Sequence, residues 1–205
     1  MSGRINNNGY DYVDLGLPNG TLWATMNVGA SKVSDEGLYF QWGDTVGYTA
    51  DQVGTGEGQK KFSSDWSDYK LGKYSKFTKY TKLGDKLELE DDAAHVYMGG
   101  EWHIPTPDQF QELIDNTTSA LTEMDGLFGV TFTSKKNTSK SIFFPSAGYA
   151  CNGLVRRSGE YGYVWTSFLS ENFHYVGYNF SFGLVKPILY CGHDYYGRSI
   201  RGVIG

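Results

Sequence analysis

One stretch of this chain carries a strong helix pattern, and most of the rest must fold some other way. Thr106-Pro107-Asp108-Gln109-Phe110-Gln111-Glu112-Leu113-Ile114 opens with a good N-cap and has proline at the first helical position. Gln109 stands three residues after the cap, as a capping box requires, and Phe110, Leu113 and Ile114 share one face. A second, shorter helix is expected over residues 91–98, closed by Gly99-Gly100, with Asp91 and His95 spaced for a local pair. Elsewhere glycine is abundant (27) against 5 prolines, and tyrosine leads the aromatics at 16. That mix suits short strands, many turns and long ordered loops rather than a helical bundle.

The strand signals are short and scattered. Tyr10-Asp11-Tyr12-Val13-Asp14-Leu15 alternates, Pro18-Asn19-Gly20 is a turn, and Thr21-Leu22-Trp23-Ala24 resumes an apolar run. Gly37-Leu38-Tyr39-Phe40-Gln41-Trp42-Gly43 is an aromatic segment closed by glycines. Residues 44–90 are polar, with Trp66 and several tyrosines embedded. They are too long for an ordinary connection and read as an insertion with its own packing. Strands are expected at Val130-Thr131-Phe132-Thr133, Ser141-Ile142-Phe143-Phe144-Pro145, Tyr163-Val164-Trp165-Thr166-Ser167, residues 176–182, and Ser199-Ile200-Arg201-Gly202-Val203. Residues 1–9 read as a flexible leader and 10–205 as one domain. A hydrophobic fraction of 40% supports a real core.

Charge and cysteine content exclude several functions. The 18 basic residues are scattered in a chain of net charge -5, so no nucleic-acid footprint is expected. No apolar run reaches the roughly 18 residues of a membrane span, and the first residues carry no signal-peptide pattern. Cys151 and Cys191 could form at most one disulfide, and with four histidines they supply no standard zinc spacing. None of His95, His103, His174 and His193 falls in a nucleophile motif.

Several segments together resemble a known family. They are Tyr12-Val13-Asp14-Leu15-Gly16-Leu17-Pro18-Asn19-Gly20-Thr21-Leu22-Trp23-Ala24, Tyr39-Phe40-Gln41-Trp42-Gly43, Asp91-Asp92-Ala93-Ala94-His95-Val96, Trp102-His103-Ile104-Pro105-Thr106, Ser146-Ala147-Gly148-Tyr149 and Gly197-Arg198-Ser199-Ile200-Arg201. In this order they resemble the major paralogous domain of gut anaerobes and their phages, over roughly residues 10–203. The resemblance implies an α+β, C-type-lectin-like fold of the formylglycine-generating-enzyme class, with short twisted antiparallel sheets, about two helices and long ordered loops. Many members of this class look like variable proteins of diversity-generating retroelements. There a reverse transcriptase rewrites template adenines, and the rewritten C-terminal stretch forms a ligand-binding face.

The tail composition offers an independent check. Randomising both adenines of an AAC codon cannot produce Lys, Glu, Gln, Met or Trp. These types make up 36 of the 205 residues. About six would be expected over residues 172–205 from bulk composition, yet Lys186 alone occurs there. A variable region is therefore expected over about 165–200. Its candidate ligand-binding residues are Phe173, His174, Tyr175, Tyr178, Asn179, Ser181, Gly183, Leu184, Ile188, Leu189, Tyr190, Cys191, Gly192, His193, Asp194 and Tyr195. Aromatic side chains give large contact area at small entropic cost. Alternation along the strand assigns Phe180 and Phe182 to the core and Asn179, Ser181 and Gly183 to the partner, with Tyr178 undecided.

The expected function is non-catalytic binding of a macromolecular ligand, a protein or cell-surface receptor, from a phage virion or bacterial surface. No cofactor is expected, although a structural calcium needs only carboxylates and carbonyls. The alternatives are a plain structural or adhesin module, or a formylglycine-generating-type oxidase. Cys151 and Cys191 do not match that oxidase's copper-binding pair, and Cys191 lies in the tail expected to vary. The Glu-Pro-Asn and Gln-Pro-Asp triplets of calcium-dependent sugar lectins are also missing.

Overall fold

The computed structural model describes residues 5–73, 76–174 and 176–205. The architecture is α+β, built from small antiparallel sheets and two helices. In chain order the elements are β1 (Ile5–Asn7), β2 (Tyr10–Asp14), β3 (Leu22–Asn27), β4 (Gly72–Lys73), β5 (Lys76–Phe77), α1 (Ala93–Met98), α2 (Pro107–Asn116), β6 (Thr117–Met124), β7 (Leu127–Ser134), β8 (Ser141–Pro145), β9 (Tyr149–Cys151), β10 (Leu154–Arg156), β11 (Tyr161–Leu169), β12 (Val176–Gly183), β13 (Ile188–His193) and β14 (Arg201–Ile204). A four-stranded sheet of order β1-β2-β3-β14 brings the C-terminal strand beside the N-terminal ones. Two meanders, β6-β7-β8 and β11-β12-β13, supply most of the remaining pairing.

α2 starts where the sequence predicts, for the expected chemical reason, and α1 starts at Ala93, two residues later than expected, because Asp92 serves as its cap. The Thr106 hydroxyl accepts from the Gln109 amide at 3.2 Å, and the Gln109 side chain accepts from the Thr106 amide at 2.9 Å. That reciprocal box satisfies two of the amides a helix start leaves open. α1 is capped by Asp92, whose carboxylate accepts from the amides of His95 (2.9 Å) and Ile104 (2.8 Å). The expected Asp91–His95 pair does not form, because Asp91 takes Lys70, Lys79 and Tyr80 instead.

Three segments depart from the sequence reading. Within the supposed flexible leader, β1 pairs with β2, and the Asn7 carbonyl accepts from the Trp102 indole at 3.1 Å. Backbone pairing orders a stretch that has no apolar pattern of its own. The aromatics of residues 44–90 do not pack by themselves: Trp66, Tyr69, Phe77 and Tyr80 join the buried cluster that holds Trp42, Trp102 and Trp165. Strand β13 covers a stretch without periodicity, since its pairing with β12 rests on backbone groups that every residue carries.

The sheet β11-β12-β13 lies between the two main buried clusters. Val164, Phe180 and Phe182 point into one, with Trp23, Phe110, Phe132 and Phe144; Phe180 stacks on Phe110 at 4.6 Å between centroids. Trp165 and Leu169 point into the other, with Trp42 and Tyr195. Arg201, fully buried, ties three strands together. It donates to the Asn27 side chain and to the carbonyls of Ala24 and Phe143 at 2.9–3.1 Å, and its guanidinium lies 4.2 Å from the Phe144 ring.

Candidate ligand-binding surface

The register of the three-stranded sheet decides which tail residues can meet a ligand. Tyr163, Ser181 and Ile188 stand abreast on one face, as do Trp165, Asn179 and Tyr190; Gly177 and Gly192 are opposite each other on the same face. Tyr178, Phe180 and Phe182 share the other face with Leu189, Cys191 and His193. The assignment of Phe180 and Phe182 to the core is therefore correct, and Tyr178 sits with them, half-buried.

Asn179, Ser181 and Gly183 do not face a partner, because both faces of this central strand are covered. Asn179 is fully buried and donates to the Tyr190 carbonyl at 2.8 Å. Gly183 is held at φ +125°, where a Cβ would lie 2.2 Å from the Glu160 carbonyl oxygen; only glycine fits such a position. Asp194 and Tyr195 are buried as well. Tyr195 packs against Trp66, Tyr196 and His193, and its carbonyl accepts from Gln41 at 3.2 Å. The strand-period argument failed here because a second layer covers the face it left for solvent.

That layer is built around two glycines. Arg198 lies under Gly192, such that a Cβ there would meet its Nη2 at 2.0 Å. Its guanidinium stacks over Trp165 at 4.4 Å, Tyr163 at 5.2 Å and Tyr196 at 5.5 Å. A Cβ on Gly177 would meet Asp194 Oδ1 at 2.8 Å and Trp42 Cδ1 at 2.9 Å. Neither carboxylate oxygen of Asp194 takes a well-formed hydrogen bond from a protein donor, and neither do Nε and Nη1 of Arg198 find an acceptor. The backbone N–H groups of Gly177 and Asp194 are the dipoles that favour the charged carboxylate. Burial holds the Asp194 carboxyl well above the usual carboxylate range, opposed by the Arg198 charge. Burial likewise lowers Arg198 to about 10.

The remaining candidates are accessible. Phe173 (63%), Leu184 (62%), Ile188 (52%) and Tyr190 (65%) are among the most exposed large apolar side chains. His174 and His193 are exposed, and Leu189, Cys191 and Gly192 are half-buried. Tyr175 lies outside the described residues. Four tyrosines escaped the sequence reading. Tyr161 and Tyr163 stack beside each other at 6.3 Å, Tyr149 meets Tyr163 at 5.5 Å, and Tyr196 lies 5.0 Å from Tyr149. All four are half-buried on the rim of the same sheet face. The alternation Tyr161, Tyr163, Trp165 was visible in the sequence, but these residues precede the compositionally unusual tail.

Other polar groups are engaged elsewhere. Glu88, Glu90 and Asp91 are, among the described residues, the one group of three acids close enough to share an ion. The Lys79 ammonium already lies 2.7 Å from each. A cavity of about 700 Å³ lined by Lys86, Asp92, His95, Trp102 and His103 contains no tail residue. Both His103 nitrogens contact carbonyls, of Ile104 and Gly205. Cys151 and Cys191 are free thiols. No helix among the described residues is long and apolar enough to cross a membrane. No protein-family model, curated protein or solved structure matches the chain.

Proposed function

We propose that this chain is a non-catalytic binding protein of C-type-lectin-like fold whose C-terminal surface is diversified by a retroelement and displayed by a phage or bacterial surface. The ligand is a macromolecule, a protein or cell-surface receptor. One observation carries the reading. Phe173, Leu184, Val185, Ile188 and Tyr190 are each 48–65% exposed within the tail that is depleted of Lys, Glu, Gln, Met and Trp. Leu184, Val185, Ile188 and Tyr190 lie in and beside the β12–β13 connection, with Phe173 at the other end of β12, and large exposed apolar groups close together mark interaction surfaces.

Covered and open positions sharpen the variable set. Substitution should be tolerated at Phe173, His174, Leu184, Ile188, Tyr190, Cys191 and His193, and less at Leu189, which packs against the cluster of Phe180 and Phe182. It is barred at Gly177, Asn179, Gly183, Gly192 and Asp194, whose places are already filled. Deep sequencing of the locus tests this. Variation should concentrate on the open set and leave the five barred positions constant. Variation spread evenly along the chain would refute diversification and favour a plain structural or adhesin module.

A further inference from the structure

The outer edge of β13 is open. Its inner edge pairs with β12 from Ile188 to His193. Among the described residues, no backbone hydrogen bond joins residues 188–192 to any other element. The strand Ile-Leu-Tyr-Cys-Gly-His has no lysine, acid or proline within it. Natural sheets guard exposed edges with charge, proline or a bulge, and an unguarded apolar edge is a template for another strand. The other long open edge, β6, is different: Thr117, Thr118, Ser119 and Thr122 make it polar, and Glu123 adds charge.

We propose that β13 pairs antiparallel with β13 of a second copy of this chain, across a two-fold axis at Tyr190. Such pairing is self-complementary, because the same edge serves both partners. An axis perpendicular to the sheet keeps equivalent faces together. In this register Tyr190 opposes Tyr190, Leu189 opposes Cys191, and Ile188 opposes Gly192. The two most exposed apolar side chains of the strand then leave water together. Ile188 opposes Gly192, whose own face is already filled by Arg198, so the pair brings no second β-carbon into the seam. No charged side chain of the strand meets another. The two three-stranded sheets become one six-stranded sheet, so Ile188 and Tyr190 would serve the pairing seam as well as the proposed ligand surface.

The area argues for a reversible dimer. Leu184, Val185, Ile188 and Tyr190 are 62%, 48%, 52% and 65% exposed. They present on the order of 400 Å² of apolar area, against about 800 Å² per partner in a standard interface. The strand backbone and half-buried Leu189, Cys191 and Gly192 bring the contact to the low end of specific interfaces, the size class of weak and transient association. The ladder itself rests on N–H and C=O groups, so uncharged replacements of the side chains leave it in place while like charges opposite each other weaken it.

Sedimentation equilibrium of the purified chain, without any ligand, tests the pairing. The wild type should be dimeric at roughly 100 µM and dissociate on dilution. Tyr190→Lys and Tyr190→Glu each place like charges opposite one another and should weaken the dimer by at least about tenfold. An equimolar mixture of the two should restore it as the mixed pair. Unchanged thermal unfolding of both variants shows that the fold is intact, as expected for a side chain 65% exposed. A monomeric wild type at that concentration, a dimer indifferent to both charges, or a mixture that stays monomeric would overturn the proposal. Because no ligand takes part, failure here leaves the binding reading standing.

Discussion

Whether position 192 belongs to the proposed replaceable surface or to its support can be settled with one methyl group. In Gly192→Ala the new Cβ would fall 2.0 Å from Arg198 Nη2 and 2.5 Å from its Cζ and Nη1. The guanidinium must move, although its position rests on three rings at 4.4, 5.2 and 5.5 Å. Desolvated cation–π contacts contribute from about 0.5 to 2 kcal/mol each, so displacing Arg198 should destabilise the protein by about 2–4 kcal/mol. The move also takes away the positive charge that favours the buried Asp194 carboxylate. Urea unfolding followed by tryptophan fluorescence would read the change as a midpoint lowered by about 1–2 M at an m-value near 2 kcal/mol/M. Gly192 carries no positive φ, so backbone strain does not contribute and the whole effect reports on Arg198. A loss under about 0.5 kcal/mol would show that Arg198 vacates freely and that residue 192 can vary like an ordinary surface position.

Three further outcomes are expected. Phe180→Ala removes a fully buried ring that stacks on Phe110 and touches Phe132, Phe144 and Phe182; denaturant unfolding should show a loss of about 3–5 kcal/mol. Arg201→Met leaves Asn27 Oδ1 and the carbonyls of Ala24 and Phe143 without their buried donor. It should destabilise by about 3 kcal/mol or more by the same measurement, and a near-neutral result would mean those acceptors find other donors. Relative to wild type, Asp194→Asn should gain stability as pH rises. Burial raises the folded carboxyl above its 3.8 reference, so on raising pH the unfolded chain gives up its proton first and wild-type stability falls from about pH 4 upward. The stability gap between variant and wild type, measured by urea unfolding, should widen from about pH 4 to pH 7, and a constant gap would contradict a raised carboxyl.

The sequence disclosed those parts of the fold where a local signal and the tertiary structure agree. The Thr106–Gln109 capping box, the strand at Ser141–Pro145 and the inward set Phe180 and Phe182 are of this kind. β6 was not legible, because Thr117 follows the helix directly and its strand is stabilised by pairing with β7 rather than by an apolar alternation. β13 was hidden for a related reason: its backbone pairs while its side chains follow no pattern. The candidate surface was half legible. Composition located the tail, and Phe173, Leu184, Ile188 and Tyr190 are open as expected. Period-two alternation then misplaced Asn179, Ser181 and Gly183, since it cannot show that Arg198 and the surrounding rings return over the same face.

That covering layer bears directly on how the proposed replaceable surface could be tolerated. Random substitution in a tail would ordinarily unfold a protein, because most mutations destabilise and buried ones do so severely. Here the requirements are divided between faces and between atom types. Phe180 and Phe182 anchor the central strand from one side, while Asn179, Arg198 and Asp194 hold it from the other. The flanking strand β13 contributes its backbone to the sheet and projects Ile188 and Tyr190 outward. Under the proposed function, a change at Tyr190 would alter what the surface binds while leaving the β12–β13 ladder beneath it unchanged. A change at Gly192, two residues further on, strikes a buried guanidinium. Freedom to vary is therefore set by what occupies the space on each residue's far side, and proximity in sequence does not predict it.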